Sequence, residues 1–391
     1  MKVTTPGTEG ARHESVFHRL YVGTGAFDIV GKRARWYVAL GLLVLVCLGS
    51  IGFKGFNLGI DFEGGTKLQM PAVGAQGPIE TDEVQEAFRE AVGHPAETVQ
   101  VVGSGDSQSI QIRTETLTPD QVAAVKQELF TQLQPLDAQG QPNQQVISDS
   151  AVSGTWGGEI TQQALIALGV FLVLVTVFLA FYFEKWMAVA ALIALLHDVV
   201  VTAGLYSLIG FEVTPSTVIG LLTILGFSLY DTVVVFDKVK ENTRGLLGLT
   251  RRTYPEAANL AVNQTLMRSI NTSVIALLPV AGLLVVGAGL LGVGMLRDLA
   301  LVQAIGMLAG VVSSVLLATP LLVDLKMREP KYREHAAKVQ QRRERAQAKA
   351  AGEDVPEEAP TKQAVTAGAG SARRPSRPSG KAGRPSGKRR R

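Results

Sequence analysis

Cysteine is nearly absent from the sequence, and charge is absent from long parts of it. Only one cysteine, Cys47, occurs among the 391 residues, so no disulfide bond can form within the chain. Because Cys47 lies in an apolar run, we expect it to be a small buried apolar residue. Hydrophobic residues make up 47% of the chain, and its mean hydropathy is +0.21. These values indicate a membrane protein.

Six apolar runs are long enough to cross a bilayer as helices. They cover residues 36–53, 160–183, 186–211, 213–236, 269–290 and 297–323. The first run follows a polar segment, residues 1–35, and no small-residue cleavage site closes it, so we expect a retained anchor and no secretory signal peptide. The sequence therefore predicts a polytopic α-helical membrane protein with six transmembrane helices.

Basic residues beside these runs predict the orientation in the membrane. They are Lys32, Arg33 and Arg35 before the first run, Lys185 after the second, Lys238, Lys240, Arg244, Arg251 and Arg252 after the fourth, and Lys326 and Arg328 after the sixth. With six spans all of them lie on one side, which the positive-inside rule assigns to the cytoplasm. Both termini are then cytoplasmic, and residues 54–159 form an extracytoplasmic domain. That domain holds 15 acidic and 5 basic residues.

The pattern of this domain predicts the order βαββαβ. Strands are expected at residues 66–70, 98–102, 109–114 and 144–150, and helices at residues 81–92 and 118–133. The order is that of a ferredoxin-like α+β sandwich. Its sequence offers no metal-ligand cluster and no nucleophile–base pair, so we interpret it as a binding or lever module and expect neither a metal nor a cofactor.

A segment rich in glycine connects the first span to this domain. It reads GFNLGIDFEGGT at residues 55–66. The pair Gly64-Gly65 requires a turn or a close backbone approach, and Asp61 and Glu63 stand near the membrane face. We interpret the segment as a structural linker that couples the span to the domain. The alternative is a calcium or proton role for the two carboxylates.

Asp231 is an ionisable residue inside the fourth apolar run. It lies about seven residues, or roughly 10 Å, from the cytoplasmic end of the run. An ionised carboxylate at the centre of a membrane helix costs about 2.5–3.5 kcal/mol, so such residues usually face the helix bundle or a water path. Ser228 lies three residues before Asp231, so the two side chains are on the same face of the helix. Two hypotheses stay open: a proton or ion carrier, or a carboxylate that only holds helices together.

Three other ionisable residues lie near or within the spans. Arg268 precedes the fifth run, and its side chain can reach inward to pair with Asp231 or can serve as a positive-inside anchor. In the third run, His197 and Asp198 lie near mid-membrane depth. A neutral histidine beside a carboxylate can relay protons, and a polar contact between helices is the alternative.

Polar segments are expected on the cytoplasmic side. Residues 237–268 form the predicted loop between the fourth and fifth spans, and residues 324–391 form the predicted tail. Within that tail, residues 331–391 carry 17 basic and 6 acidic residues. Because this composition cannot bury a core, we expect disorder. The tail could attract anionic lipid or ribosomal RNA, or remain simply solvated.

Four motifs carry a resemblance to a known family. They are FNLGIDFEGGT at residues 56–66, HD at 197–198, GFSLYDTVVVFDKVKEN at 226–242 and QTLMRSINTS at 264–273. The order of one span, an outer domain and five further spans is also similar. Over residues 26–325 the chain resembles the SecF subunits of the SecD/SecF family of protein translocases, half-length relatives of the resistance-nodulation-division transporters.

The resemblance implies a multi-pass protein of a bacterial plasma membrane. It would pair with SecD in a twelve-span unit attached to the SecYEG channel and its SecA motor. Such a unit uses the proton motive force to complete or promote export of unfolded polypeptides after the ATP-driven stage, without covalent catalysis. Many members carry asparagine where this chain has Tyr230, whose hydroxyl can still form a hydrogen bond.

By matching motif positions, the resemblance implies proton coupling at Asp231 and Arg268. We assign a role to the connecting segment: it would transmit motion from the spans to the outer domain. Its candidate residues are Asn57, Gly59, Asp61, Gly64 and Gly65.

Two alternatives from other functional classes stay open. A half-size exporter of lipids or drugs would need a larger outer domain with an apolar tunnel. A passive assembly factor for the channel would use Asp231 only as a structural residue.

Overall fold

The computed structural model describes residues 27–102, 108–137, 139–290 and 294–351. Among these residues six helices are long and apolar enough to cross a membrane, which confirms the six-span prediction.

The six spans have the following bounds. Span 1 is Arg33–Lys54, span 2 is Gly154–Tyr182, span 3 is Lys185–Ile209 and span 4 is Pro215–Asn242. Span 5 is Tyr254–Gly282 with a π-helix at Leu283–Leu290, and span 6 is Gly294–Ser313 with a π-helix at Ser314–Ala318 and a last helix at Thr319–Met327. Most of the predicted N-terminal segment, residues 1–26, and residues 352–391 of the predicted tail lie outside the described residues.

Span 5 extends into the predicted cytoplasmic loop, residues 237–268. Its helix begins at Tyr254 because Thr253 and Glu256 form a capping box. The Glu256 amide donates to Thr253 Oγ1 at 3.4 Å, and the Thr253 amide donates to Glu256 Oε2 at 3.0 Å. Most of the predicted loop is therefore helical.

A helix also occupies the start of the predicted disordered tail. It is Pro330–Ala350, a stretch dominated by Ala, Gln, Arg and Lys, which are good helix formers. His335 and Val339 are buried on its inner face. His335 Nε2 lies 2.6 Å from the Leu249 carbonyl oxygen, so this contact anchors the first half of the helix.

The domain between spans 1 and 2 has the predicted order βαββαβ. Its elements are β1 (Gly65–Pro71), α1 (Thr81–Val92), β2 (Thr98–Val102), β3 (Ser109–Thr114), α2 (Pro119–Leu133) and β4 (Ser148–Val152). The sheet order is β2-β3-β1-β4 and every neighbouring pair is antiparallel. This is the ferredoxin-like arrangement, so the predicted fold of the domain is confirmed.

One face of this sheet forms the core of the domain with both helices. Leu68, Met70, Ile110 and Ile112 point to that face and are fully or almost fully buried. The other face carries polar side chains, including Lys67 opposite Arg113 and Gln69 opposite Gln111. This alternation follows the period of two of a strand covered on one side.

Small residues determine how closely the membrane helices approach. A Cβ added to Gly204 in span 3 would lie 2.1 Å from Cys47 Cβ in span 1. Gly306 and Gly310, four residues apart on span 6, face span 4, and a Cβ on Gly310 would lie 3.0 Å from Ser228 Cβ. Paired small residues of this kind allow membrane helices to pack closely.

Candidate functional site

Asp231 lies where spans 4, 5 and 6 meet. Its side chain is buried, and each oxygen accepts one hydrogen bond from a serine hydroxyl. Ser269 of span 5 donates to Oδ1 at 2.5 Å, and Ser314 of span 6 donates to Oδ2 at 2.5 Å. The carboxylate therefore connects three helices through hydroxyl groups.

Asp198 forms a second carboxylate centre on span 3. Its side chain is fully buried. Ser228 of span 4 and Ser313 of span 6, the latter at 2.8 Å, donate to Oδ2. His197 Nδ1 lies 3.1 Å from Oδ1. The structure therefore brings together three predicted residues, His197, Asp198 and Ser228.

Two neighbouring serines of span 6 join the two centres. Ser313 donates to Asp198 and Ser314 to Asp231. They stand where the α-helix becomes the π-helix Ser314–Ala318. Pro320, shortly afterwards, has no amide hydrogen and its ring crowds the carbonyl four residues earlier, which accounts for the irregular turn. Single π-turns inside α-helices are frequent at functional sites.

Both carboxylates are held without a lysine or arginine. In the described part of the chain the one ionisable group that contacts either of them within 4.0 Å is His197. A buried charge is costly unless it is well hydrogen-bonded, and each carboxylate here has two hydroxyl donors. Serine hydroxyls therefore provide most of the hydrogen bonding at both carboxylates.

Arg268 lies beside Tyr230 and does not contact Asp231 in this structure. Its Nη2 is 3.4 Å from the Tyr230 hydroxyl, on an exposed side of the bundle. Consecutive helical residues point about 100° apart, so Asp231 and Ser269 meet inside the bundle while the residues preceding them meet outside. The predicted pairing of Arg268 with Asp231 is absent from this geometry.

A small cavity adjoins Asp231. Its volume is about 30 Å³, enough for a water molecule. It is lined by Phe227, Ser228, Tyr230, Asp231, Thr272, Ser273, Ala276, Met307, Gly310 and Val311. Ser228, which donates to Asp198, and Asp231 therefore border the same small cavity.

The segment between span 1 and the domain is tied to the start of span 4. Asn57–Leu58 forms a short parallel strand pair with Glu212–Val213, which precedes span 4. The Gly59 amide donates to the Val213 carbonyl oxygen at 2.8 Å. A Cβ on Gly59 would lie 3.2 Å from that oxygen, so glycine allows the close approach. We call this strand pair the clamp.

Gly64 and Gly65 are packed against neighbouring backbone. Both have positive φ, 81° and 128°. A Cβ on Gly64 would lie 2.7 Å from Gly154 Cα at the start of span 2, and one on Gly65 would lie 2.6 Å from the Thr114 carbonyl oxygen of β3. Here the predicted close backbone approach connects the segment, the sheet and span 2.

The carboxylates of this segment differ in their surroundings. Glu63 forms an ion pair with Arg113 of β3, whose Nη1 also donates to Asn57 Oδ1 at 3.3 Å. Asp61 is half-buried in the short helix Ile60–Glu63. No group of three His, Cys, Asp or Glu side chains is arranged to hold a metal ion within the residues that the structure describes. The contacts of Glu63 and Asn57 favour the structural linker over the calcium alternative.

Sequence reasoning missed three hydroxyl donors, namely Ser269, Ser313 and Ser314. Their signal was present, because Ser313-Ser314 is an adjacent polar pair deep in an apolar run and Ser269 follows Arg268 directly. A serine in a membrane helix usually satisfies its hydroxyl on its own backbone. The pattern alone therefore does not separate these serines from ordinary ones.

Two family models match the chain. One, described as protein export membrane protein SecD/SecF, C-terminal, matches residues 132–328. The other, described as the SecD/SecF GG motif, matches residues 49–74. The first match includes spans 2 to 6 with both carboxylate centres, and the second includes the glycine segment.

Similar proteins and a solved structure point to the same family as these models. The protein translocase subunit SecF of Mycobacterium tuberculosis is 54% identical over 340 residues, 87% of this chain and 76% of that protein. The subunit of Streptomyces coelicolor is 45% identical over 350 residues, 89% of this chain and 87% of that protein. A crystal structure of SecDF, a translocon-associated membrane protein from Thermus thermophilus, matches with a TM-score of 0.65 and 30% identity, covering 77% of this chain and 38% of that chain. The chain thus aligns with less than half of the SecDF chain.

Proposed function

This chain belongs to the SecD/SecF family of protein export membrane proteins, and on that basis we propose that it uses the proton motive force to complete or promote protein translocation after the ATP-driven stage. The observation that carries the proposal is Asp231, a buried carboxylate at the junction of three spans whose described partners are serine hydroxyls. Family membership supports the export role, and the geometry of Asp231 supports the proton coupling.

Protonation of Asp231 changes the contacts between the three spans. In the charged state both oxygens accept from serine. A proton on Oδ2 turns that oxygen into a donor, so the Ser314 hydroxyl must rotate, and the Val311 carbonyl oxygen at 3.0 Å offers it another acceptor. Hydrogen bonds to charged groups contribute about 1.5–3 kcal/mol each. One proton crossing 100 mV supplies about 2.3 kcal/mol, which shifts a two-state equilibrium by about fifty-fold.

Arg268 is the second proton-coupling residue of the proposal. It precedes Ser269, and a rotation of span 5 by one residue, about 100°, would replace the serine by the arginine beside Asp231. The charged carboxylate favours the arginine in that arrangement, and protonation releases it. Tyr230 holds the guanidinium outside the bundle in the conformation described here.

The clamp and the glycine segment would transmit the motion to the domain. Span 4, which carries Asp231, begins directly after Glu212–Val213, and that strand pairs with Asn57–Leu58. A tilt of span 4 therefore pulls on the base of the ferredoxin-like domain. We assign to this domain, on the outer face, the gripping of emerging unfolded polypeptide.

The partners follow from the same family. The Thermus thermophilus relative is named SecDF, and this chain aligns with 38% of it, so we assign the remainder to a separate SecD subunit. The assembly would act on the SecYEG channel with its SecA motor. The basic residues that flank the spans support cytoplasmic termini, and the excess of basic residues from Lys331 onward would favour binding to anionic lipid.

The Asp231→Asn variant tests the proton-coupling role. We would measure completion of export in membrane vesicles that contain SecD, the channel and its ATP motor, with and without a proton gradient. Asparagine keeps the size of the side chain and can still hydrogen-bond to both serines once one hydroxyl rotates to accept from its amide, but it cannot bind and release a proton. We expect gradient-dependent stimulation to disappear while the complex still co-purifies.

Asp237→Asn is the matched control, because Asp237 lies on the same helix but is exposed. It should retain the full stimulation. If Asp231→Asn also retains it, Asp231 only holds helices together and the chain is a passive assembly factor.

A further inference from the structure

Asp198 and Asp231 are arranged as a linked pair. They lie on different spans, each accepts two serine hydroxyls, and adjacent residues of span 6 provide one donor to each. Small residues and hydroxyl groups are sufficient to pack membrane helices, whereas this arrangement buries two carboxylates together with four hydroxyl groups. Ionisable residues inside a membrane bundle are costly and usually mark a functional site.

We propose that Asp198 is a second proton-binding residue, which exchanges a proton with Asp231 through Ser228 and the small cavity beside it. The proposal rests on the function proposed for Asp231 and identifies the group from which that residue receives its proton. Ser228 is the natural intermediate, because its hydroxyl donates to Asp198 and its side chain lines the cavity that Asp231 also lines. A cavity of about 30 Å³ has room for the water that completes the connection.

The transfer conserves protons and charge. The O–H bond of protonated Asp198 breaks, its proton passes to Ser228 Oγ, and the hydroxyl proton of Ser228 passes to the cavity water. That water gives one of its own protons to the Asp231 carboxylate, where a new O–H bond forms. The serine and the water are restored with reversed hydrogen bonds, and the negative charge moves from Asp231 to Asp198.

His197 extends the connection on the far side of Asp198. Its Nδ1 faces Asp198, and its Nε2 is buried without a hydrogen-bond partner among the residues that the structure describes. The imidazole also borders a groove of about 430 Å³ that Tyr37 of span 1 and Leu317 of span 6 help to line. A histidine with one nitrogen on the carboxylate and one unsatisfied can accept a proton and pass it inward.

The conformation of span 6 would depend on which carboxylate holds the proton. Ser313 has a second acceptor, the Gly310 carbonyl oxygen at 3.1 Å, and Ser314 has the Val311 carbonyl oxygen at 3.0 Å. Each serine can therefore turn away when its aspartate is protonated. Because the two adjoin the π-helix Ser314–Ala318, movement of the proton would alter the irregular turn of span 6.

Other titratable groups around the pair are few. Span 3 contributes His197, span 4 Tyr230 and span 5 Arg268, while Tyr37 of span 1 lies across the groove. On span 6 the described ionisable side chains lie toward its ends, at Arg297, Asp298, Asp324 and Lys326. A pH titration of the pair therefore has to be compared with variants of the aspartates themselves.

Infrared spectroscopy of the reconstituted complex with SecD tests the proposal. The carbonyl stretch of protonated carboxyl groups would be followed against pH in Asp198→Asn, Asp231→Asn and the exposed control Asp237→Asn. We expect two buried bands in the unaltered protein. Asp198→Asn should remove one and displace the titration of the other, an effect that loss of helix packing alone does not produce. Unchanged titration of the remaining band would overturn the proposal.

Ser228→Ala separates proton transfer from the two binding sites. Both bands should persist, with the Asp198 band displaced because this carboxylate loses one of its two hydroxyl donors, while gradient-stimulated export should fall about tenfold, the factor that corresponds to one lost hydrogen bond. This variant also serves if Asp198→Asn does not assemble. Unchanged export in Ser228→Ala overturns the connection.

The same assays separate this proposal from the proposed function. If Asp231→Asn loses stimulation while Asp198→Asn keeps it, only the second proton site is wrong. If Asp231→Asn keeps stimulation, the proton-coupling function itself is wrong.

Discussion

Replacing Gly65 with valine is expected to destabilise the domain between spans 1 and 2 by about 4 kcal/mol, a loss that single substitutions reach only exceptionally. Two effects add. The φ of 128° is a conformation that a β-branched residue rarely adopts. A Cβ would also lie 2.6 Å from the Thr114 carbonyl oxygen, so β1 and β3 would have to separate. Thermal denaturation of the full-length protein, with limited proteolysis of the domain, would measure the loss.

Gly77→Val is the matched control for this prediction. Gly77 has nearly the same φ, 123°, but a Cβ there meets nothing within 4 Å. It should cost only the backbone strain, about 1–3 kcal/mol. Equal losses in the two variants would show that close packing of the glycine segment does not matter.

Replacing Gly204 with leucine is expected to separate spans 1 and 3 and to destabilise the protein by about 3 kcal/mol, the upper part of the range for overpacking. A Cβ at this position would lie 2.1 Å from Cys47 Cβ and 2.7 Å from Cys47 Cα. Because the second atom belongs to the backbone, a change of side-chain rotamer cannot relieve the clash.

Cys47 reports on this separation directly. It is the only cysteine in the chain and is fully buried, so a maleimide should label it slowly in the unaltered protein and rapidly in Gly204→Leu. Gly41→Leu, in span 1, is the control, since a Cβ there meets nothing within 4 Å. Equal labelling of the two variants would contradict the close contact.

Much of the fold could be predicted from the sequence. The six apolar runs need no tertiary information, because a membrane helix satisfies its own backbone hydrogen bonds and is recognised by length and polarity. The order of strands and helices in the domain can be predicted from the alternating pattern of its strands and from the caps of its helices. Gly64-Gly65 predicts a close backbone approach, and the structure shows one, although the neighbours Gly154 and Thr114 are distant in sequence.

The site was only partly predictable. Asp231, Asp198 and His197 are conspicuous because charge is costly in an apolar run. Ser269, Ser313 and Ser314 carry no such cost, and their role depends on which helix faces each hydroxyl. The position of Arg268 depends on the rotation of span 5, which differs by about 100° between one residue and the next. The clamp was missed because each of its strands, Asn57–Leu58 and Glu212–Val213, has only two residues.

Proton flux tests the central claim most directly. The chain and SecD would be reconstituted in proteoliposomes that enclose a pH-sensitive dye, and the internal pH would be followed after a gradient is imposed. We predict flux in the unaltered protein and in Asp237→Asn, and background flux in Asp231→Asn. Flux in Asp231→Asn equal to that of the unaltered protein would contradict the role of Asp231 as a proton carrier.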